Sequence, residues 1–369
     1  MMTVTRTTYL GLAAIFVFAA TVAAGAQGRR GGGPPGVPAT GTVEHVTVHG
    51  KALEGNLEGD SPDRQVAVYL PPGYATDQNR RYPVVYLLHG YGGRDDTFVS
   101  RLAMLPDIAD RLAAAQGYSP AIVVTPNAFT LHKGSMYSNS VTTGDWESFV
   151  AEDLVAFIDS RYRTIAARIS RGLAGHSMGG YGALRIGMKR PDVFSSLYIM
   201  SACCLAPNTN PQPQTLALAL AIKTREQAEE AARAPGFGPS TQLASAAAWS
   251  PNPNNPPLYL DLPVNNGKVR PEIVAKWAAN APLTMIEQLG SSLQRHYAIG
   301  IDIGTKDPLL ASNRRLHEAL TRLRIPHAYE EYDGDHTNKV GERLERNLLT
   351  FFSRTLASPA NPTSPQEKD

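Results

Sequence analysis

Cysteine is nearly absent from this sequence, because only Cys203 and Cys204 occur among 369 residues and the two are adjacent. Neighbouring cysteines can close only a strained ring, which excludes an ordinary disulfide that staples distant segments together. We interpret the pair as small, buried side chains just past a strand. The stability of the fold must therefore come from burial in a core, which a chain of this length can supply.

A surplus of charge of either sign is also lacking. The sequence has 35 Lys and Arg residues against 33 Asp and Glu residues, for a formal net charge of +2. A nearly neutral protein offers no electrostatic basis for binding nucleic acid or anionic membrane surfaces. Since the sequence also has no Cys/His ligand cluster and no phosphate-cradling glycine loop, we expect neither a metal nor an organic cofactor.

Long apolar runs are confined to the N-terminus. The run from Tyr9 to Val22 follows Arg6 and precedes the small residues Ala24-Gly25-Ala26. This pattern is typical of a secretory signal peptide over residues 1–26, and a retained membrane anchor is the alternative, although the run is short for a bilayer. The sequence predicts a secreted or periplasmic protein with no membrane partner after signal removal.

The rest of the chain divides by composition. Residues 27–41 are rich in Gly and Pro and are predicted to be a flexible leader, and residues 358–369 are predicted to be a disordered tail. Residues 42–357 alternate strand and helix patterns, which predicts one α/β domain whose mostly parallel sheet has helices on both faces. Residues 205–289, rich in Pro, Asn and Ala, are predicted to be an insertion of helices and loops over the active site, with one helix near Thr224 to Arg233.

The motif G-x-S-x-G occurs at Gly175-His176-Ser177-Met178-Gly179. A predicted strand, Ile169 to Ala174, precedes it and a predicted helix, Met178 to Met188, follows. A serine on such a sharp turn exposes its hydroxyl at a helix N-terminus, where the next N–H can donate to an oxyanion. Ser177 is therefore the candidate nucleophile and Met178 the first oxyanion donor. A chance match in a glycine-containing loop is the alternative.

A serine nucleophile needs a base, and reactive groups in such folds gather at the carboxyl ends of strands. His336 fits this requirement, because it lies in a glycine-containing loop just past the predicted strand His327 to Tyr332. A solvated loop histidine is the alternative interpretation. The second oxyanion donor is expected after the predicted strand Pro83 to Leu88, where we favour the N–H of Tyr91 and then that of Gly90.

Three aspartates compete for the role of the carboxylate that orients the base. Asp307 follows a predicted strand and precedes Pro308, a position that also fits a helix N-cap. Asp302 lies inside that strand and is the fallback, while Asp335 adjoins His336 and is poorly placed to face it. We favour Asp307, since the chain order serine, aspartate, histidine is typical of α/β-hydrolases.

These motifs together resemble the esterase D-like branch of the α/β-hydrolases, which holds feruloyl esterases, S-formylglutathione hydrolases and mycolyltransferases. The segments that carry the resemblance are Val68 to Tyr74, Tyr86 to Gly90, Gly144 to Glu147, Gly175 to Gly182, Asp307 and Gly334 to His336. The resemblance implies Ser177, His336 and Asp307 as the triad and Met178 and Tyr91 as oxyanion donors. It also implies Trp146 and Glu147 near the substrate cleft, although a core tryptophan is the alternative.

The resemblance implies an exported serine carboxylic-ester hydrolase that acts through an acyl-enzyme on feruloyl-type or other small acyl esters, including carbohydrate-linked ones. An acyltransferase that uses a sugar or alcohol acceptor is the alternative within the same chemistry. A non-catalytic binding protein is the alternative of another class. Acyl specificity and oligomeric state stay open. Four apolar residues of the insertion have two alternative interpretations, as the lining of an acyl pocket or as packing residues: Trp249, Leu258, Tyr259 and Trp277.

Overall fold

A computed structural model describes residues 40–359 of the chain. The predicted signal peptide, nearly all of the predicted leader and residues 360–369 of the predicted tail lie outside the described residues. Between residues 40 and 359, none of the helices combines the length and the apolarity needed to cross a membrane.

One central sheet organises residues 40–359, and its strand order is β1-β2-β4-β3-β5-β6-β7-β8. The strands are β1 (Thr42–His49), β2 (Asp63–Leu70), β3 (Val84–Leu88), β4 (Ile122–Pro126), β5 (Arg171–His176), β6 (Ser196–Met200), β7 (Ala298–Gly304) and β8 (Ala328–Tyr332). Strand β2 is antiparallel to β1 and β4, whereas the remaining neighbours are parallel. The predicted mostly parallel sheet is confirmed, and the carboxyl ends of its six mutually parallel strands, β3 to β8, lie at one edge.

Helices cover both faces of the sheet, as the apolar run of β3 predicts. Val84, Tyr86 and Leu88 face one hydrophobic core, and the alternating residues Val85 and Leu87 face the other. The longer α-helices are Leu105–Ala113, Leu154–Arg161, Met178–Lys189, Pro213–Ala221, Arg225–Arg233, Gly238–Trp249, Pro271–Ala279, Pro282–Gln294, Leu310–Arg322 and Leu349–Thr355. Shorter helical segments are Lys51–Leu53, Thr97–Arg101, Trp146–Ser148, Phe149–Asp153, Arg168–Ser170, Val340–Arg343 and Leu344–Leu348.

The insertion (residues 205–289) is more helical than its composition predicts. The one helix predicted there, near Thr224 to Arg233, is observed at Arg225–Arg233, where Thr224 and Gln227 form a capping box. Four further helices begin within the insertion, each at a proline or a glycine, and the rings of Trp249 and Trp277 pack edge to face in the core with centroids 5.5 Å apart. These tryptophans are packing residues in the described structure.

The insertion leaves and rejoins the sheet between two neighbouring strands, β6 and β7. Its two ends meet, because the N–H of Leu283 donates to the carbonyl oxygen of Leu205 at 2.9 Å. Cys203 and Cys204 lie just before this point. They are half-buried against the hydrophobic core, with their sulfur atoms 2.7 Å apart.

Candidate active site

Ser177 occupies the sharp turn between β5 and the helix Met178–Lys189, which we call the elbow helix. Its backbone has φ 57° and ψ −114°, an unusual conformation for a residue with a side chain and one that is common at functional sites. A β-carbon at position 179 would lie 1.9 Å from the carbonyl oxygen of Leu88, so only glycine fits there. The Ser177 N–H donates to Met200 at 3.0 Å, which fixes the turn against β6.

Three side chains that are far apart in the sequence form one hydrogen-bonded chain at this edge of the sheet. The hydroxyl of Ser177 lies 2.9 Å from Nε2 of His336, and Nδ1 of His336 lies 2.8 Å from Oδ2 of Asp307. A carboxylate can only accept a hydrogen bond, so the proton of a neutral His336 ring is on Nδ1. Nε2 is then the acceptor for the serine hydroxyl, as a general base must be.

Asp307 is fixed from two sides. Its Oδ2 faces His336, and its Oδ1 accepts from the N–H of Leu309 at 2.8 Å. The predicted N-cap role of Asp307 is wrong, because the helix Leu310–Arg322 begins later and its N-cap is Leu309. Burial opposes ionisation of this carboxyl, but hydrogen bonds from His336 and Leu309 outweigh it and lower its pKa. Asp307 is therefore ionised at neutral pH, as the partner of an imidazolium must be.

His176, the residue before Ser177, contacts the candidate base. Its ring packs against the ring of His336 with centroids 4.7 Å apart, and its Nε2 lies 2.7 Å from the carbonyl oxygen of His336. A carbonyl accepts only, so Nε2 carries a proton. Burial, and next the neighbouring His336, lower the pKa of His176 to about 4, which keeps the ring neutral. Sequence reasoning missed this contact, although the motif position beside the serine was its signal.

The loop after β3 passes directly beside the serine. A β-carbon at Gly90 would lie 3.3 Å from the β-carbon of Ser177. His89 holds the loop, because its Nδ1 donates to the carbonyl of Gly90 at 2.8 Å and its Nε2 accepts from the N–H of Ala128 at 2.9 Å. Burial lowers the pKa of His89 to about 4, so this arrangement does not titrate near neutral pH.

Two backbone N–H groups are candidates for holding an oxyanion here. Met178 is the first residue of the elbow helix, so its N–H has no intrahelical acceptor. In the opposite loop, the N–H groups of Gly92 and Gly93 donate to Lys133 and Gly90 and fix the turn that carries Tyr91. The Tyr91 hydroxyl donates to His132 at 2.8 Å, which anchors this residue. The oxyanion roles of Met178 and Tyr91 stay predictions.

Trp146 and Glu147 are adjacent in the sequence but have different partners. Trp146 is buried in the core and its indole N–H donates to Thr143 at 2.8 Å. Glu147 accepts from Nε of Arg185 at 2.7 Å and from Nζ of Lys189 at 2.8 Å, both on the elbow helix. Burial opposes ionisation of Glu147, but these two cations lower its pKa. The contacts make Trp146 a core residue and Glu147 a support of the elbow helix, and a role for either in binding substrate stays a prediction.

The two other aspartates have different partners. Asp302 is fully buried and accepts from the Tyr198 hydroxyl at 2.8 Å and from Nε of Arg343 at 3.0 Å. Burial raises its pKa to about 6 despite these donors. Asp335 instead accepts from the N–H groups that follow it and shapes the His336 loop. The structure thus brings Asp307, rather than Asp302 or Asp335, to the imidazole.

The strand order and the serine turn after β5 define the α/β-hydrolase fold, and solved structures confirm it. A ferulic acid esterase aligns with a TM-score of 0.60 and 23% identity over 85% of this chain and 98% of its own. An S-formylglutathione hydrolase from Agrobacterium tumefaciens aligns with a TM-score of 0.56 and 18% identity over 86% of this chain and 96% of its own. These alignments confirm the predicted α/β-hydrolase fold.

Within that fold, the chain belongs to the Esterase family, whose model, described as "Putative esterase", matches residues 61–340. An esterase of Mycobacterium tuberculosis is 39% identical over 135 residues, which are 36% of this chain and 27% of that protein. An endo-1,4-β-xylanase/feruloyl esterase of Xylanibacter ruminicola is 33% identical over 144 residues, which are 38% of this chain and 20% of that protein. The matches thus span less than a third of these curated relatives.

Proposed function

We propose that this protein is a serine carboxylic-ester hydrolase that works through an acyl-enzyme. The observation that carries the proposal is the continuous chain of contacts from Ser177 Oγ to His336 Nε2 and from His336 Nδ1 to Asp307 Oδ2. Membership of the Esterase family supports the same reaction class. A non-catalytic scaffold would have no need to keep Ser177 in its unusual backbone conformation beside a correctly oriented base.

In the first half of the reaction, Ser177 Oγ attacks the ester carbonyl carbon as His336 Nε2 takes the hydroxyl proton. The imidazolium is stabilised by the ionised Asp307. Negative charge develops on the former carbonyl oxygen, where the N–H groups of Met178 and Tyr91 donate to it. Collapse of this intermediate breaks the bond to the alcohol, which leaves with the proton returned by His336.

In the second half, a water molecule attacks the acyl-enzyme. His336, now neutral again, takes a proton from that water, and the same two N–H groups stabilise the second oxyanion. Collapse releases the carboxylic acid and restores the Ser177 hydroxyl. An acyltransferase would replace this water with a sugar or alcohol, and the described residues favour neither acceptor by a specific contact.

We propose small acyl esters, including feruloyl-type esters, as the substrate class. Relatives named feruloyl esterase support this choice. The protein is further proposed to act outside the cytoplasm, on the strength of the N-terminal sequence pattern.

The test is covalent labelling of the purified protein with a fluorophosphonate probe, followed by peptide mapping. We expect one adduct, on Ser177, and no adduct in Ser177→Ala. A panel of p-nitrophenyl esters of varied chain length, methyl ferulate and acetylated sugars should show hydrolysis that is lost in the same variant. A folded protein that forms no adduct would refute the proposal, and hydrolysis retained by Ser177→Ala would refute this choice of nucleophile.

A further inference from the structure

Lys133 connects the loop beside Ser177 with the insertion. Its carbonyl oxygen accepts from the N–H of Gly92 at 3.0 Å, next to Tyr91. Its Nζ donates to the carbonyl oxygens of Ala234 and Gly236, both at 3.0 Å. These two carbonyls directly follow the helix Arg225–Arg233, and a cation is favourable at the C-terminal end of a helix.

The segment that Lys133 holds, residues 234–238, we call the strap. It carries Phe237, whose ring stacks on the ring of Tyr91 with centroids 5.9 Å apart and an interplanar angle of 25°. Phe237 is nevertheless 63% exposed, so the strap presents a large apolar ring to solvent beside the site. An exposed phenylalanine fixed on an aromatic partner is a feature of binding surfaces.

The strap has the backbone of a movable segment. Gly236 and Gly238 flank Phe237 with φ of 79° and 23°, and a β-carbon at either glycine would have no neighbour within 4 Å. Few packing contacts therefore hold these two residues, and glycines permit the large backbone rotations that a hinge requires. Within residues 40–359, the hydrogen bonds from Lys133 and the ring contact with Tyr91 join the strap to the catalytic domain.

The backbone that carries Lys133 is packed against the turn that contains Ser177. At the next residue, Gly134, a β-carbon would lie 2.6 Å from Sδ of Met178 and 2.9 Å from Cδ2 of Tyr91. The segment that carries Lys133 therefore packs against both candidate oxyanion residues. The backbone at Lys133 is thereby held in place, and its side chain can fix the strap to a rigid part of the site.

We propose that Lys133 is a positioning residue that holds the strap closed, so that Phe237 and Tyr91 together form one wall of the substrate cleft. The wall contacts the bulky part of an ester, on either its acyl or its alcohol side. This inference rests on the proposed esterase function of Ser177. Its consequence is that loss of the Lys133 ammonium weakens the binding of bulky esters and leaves small esters, which do not reach the wall, much less affected.

The test compares Lys133→Met, Lys133→Arg and, as a matched loss of charge on an exposed residue of the insertion, Lys268→Met. Steady-state kinetics use two bulky esters, methyl ferulate and 1-naphthyl acetate, and their small counterparts, methyl acetate and vinyl acetate. For Lys133→Met we expect KM to rise about fivefold to tenfold for at least one bulky ester, with kcat within twofold, because ground-state and transition-state binding are lost together. Lys133→Arg should restore most of the loss.

Hydrogen exchange provides an independent readout, because it reports the opening of the strap without any substrate. The strap's own amides are exposed and donate no hydrogen bond to any described residue, so the amides to follow are the hydrogen-bonded ones beside it: residues 230–233 in the last turn of the helix Arg225–Arg233, and Thr241, whose N–H donates to the carbonyl of Phe237 at 3.3 Å. These amides should exchange faster in Lys133→Met than in the unaltered protein or in Lys268→Met. Unchanged exchange there would overturn the proposal, as would a KM for both bulky esters within twofold of the original value, or equal effects on small and bulky esters. The ester that responds identifies which half of the substrate lies under Phe237.

Failure of the proposed function would look different. In that case the unaltered protein would neither hydrolyse any of the four esters nor be labelled at Ser177. The exchange comparison would still decide whether Lys133 holds the strap.

Discussion

The imidazole of His176 donates a hydrogen bond to the backbone carbonyl of His336 at 2.7 Å while the two rings lie in contact. The residue that precedes the serine in the motif thus holds the loop that carries the base. Because His336 is on a loop rather than on a helix or strand, its position depends on contacts of this kind.

Replacement of His176 tests this support. His176→Phe keeps a ring against His336 but removes the donor, and we expect kcat for p-nitrophenyl acetate to fall about tenfold through loss of base orientation. His176→Gln, whose side-chain amide can still donate, should fall less. Stopped-flow or steady-state assays at equal folded fractions, verified by circular dichroism, measure the difference. Equal rates for His176→Phe and the unaltered protein would show that the contact is dispensable.

Asparagine substitutions of the two buried aspartates, Asp307 and Asp302, should affect different properties, one kcat and the other the free energy of unfolding. Asp307→Asn removes the acceptor that sets the tautomer of His336, and we expect kcat to fall about 10⁴-fold with the melting temperature nearly unchanged.

Asp302→Asn is the matched control. It weakens a buried contact with Arg343, so we expect a loss of about 3 kcal/mol in the free energy of unfolding and kcat within severalfold of the original at a temperature where the variant is folded. Urea denaturation and esterase assays on both proteins measure the two effects. The reverse pattern would transfer the acid role to Asp302.

Glu147 should contribute to stability through the elbow helix. Glu147→Gln leaves the buried guanidinium of Arg185 without its counter-charge, for which we expect a loss of about 3–5 kcal/mol. Glu152→Gln is the control, because Glu152 is 59% exposed in its ion pair with Arg190 and such pairs contribute at most about 1 kcal/mol. Urea denaturation gives both values. Similar losses in the two variants would mean that the buried ion pair of Glu147 with Arg185 stabilises the fold no more than an exposed pair does.

Buried histidines predict a decline in stability at mildly acidic pH. Those whose pKa is lowered by burial to about 3 or 4 are His89, His132, His176 and His296. An unfolded histidine titrates near 6.5, so between pH 6.5 and 4.5 the unfolded chain binds more protons at these side chains, and acid destabilises the fold. Asp302, with a pKa of about 6, and Glu58, whose pKa burial raises well above its usual range, oppose this effect.

The four histidines outnumber the carboxyl groups whose pKa burial raises, which are Asp302, Glu58 and Asp60, so unfolding takes up protons on balance. Each proton taken up changes the free energy of unfolding by about 1.4 kcal/mol per pH unit, so we expect a decline on the order of 1–3 kcal/mol between pH 6 and pH 5. Denaturation curves across this range measure the slope. His296→Gln should reduce this slope by about one proton. A stability that is flat from pH 6.5 to 4.5 would contradict the argument.

Strong local signals explain which parts of the fold were predictable. Continuous apolar runs such as β3, and the glycines that crowd the serine turn, leave few structural options, so the sheet and the elbow are predicted to within about two residues. Asp307 and His336 were predictable because strand ends meet at one edge of a parallel sheet.

Contacts between segments that are distant in the sequence were harder to predict. The donation from His176 to His336, the pairing of Glu147 with Arg185 and the salt-bridged surroundings of Asp302 depend on how elements pack, which local patterns do not encode. Most helices of the insertion were missed for a related reason. Their Ala-rich and Pro-initiated sequences have weak amphipathic patterns, and their tryptophans pack against one another rather than against the sheet.

The hydrogen bond between Leu283 and Leu205 brings the start of the insertion next to a residue near its end, so that the segment between them forms a closed loop beside the sheet. Ser177 precedes it and Asp307 and His336 follow it, so the backbone between the two leucines contributes no member of the proposed triad. Loops that begin and end at neighbouring points tolerate changes in length. A substitute segment of different length, joined at these two leucines, would therefore leave β6 and β7 as neighbours in the sheet.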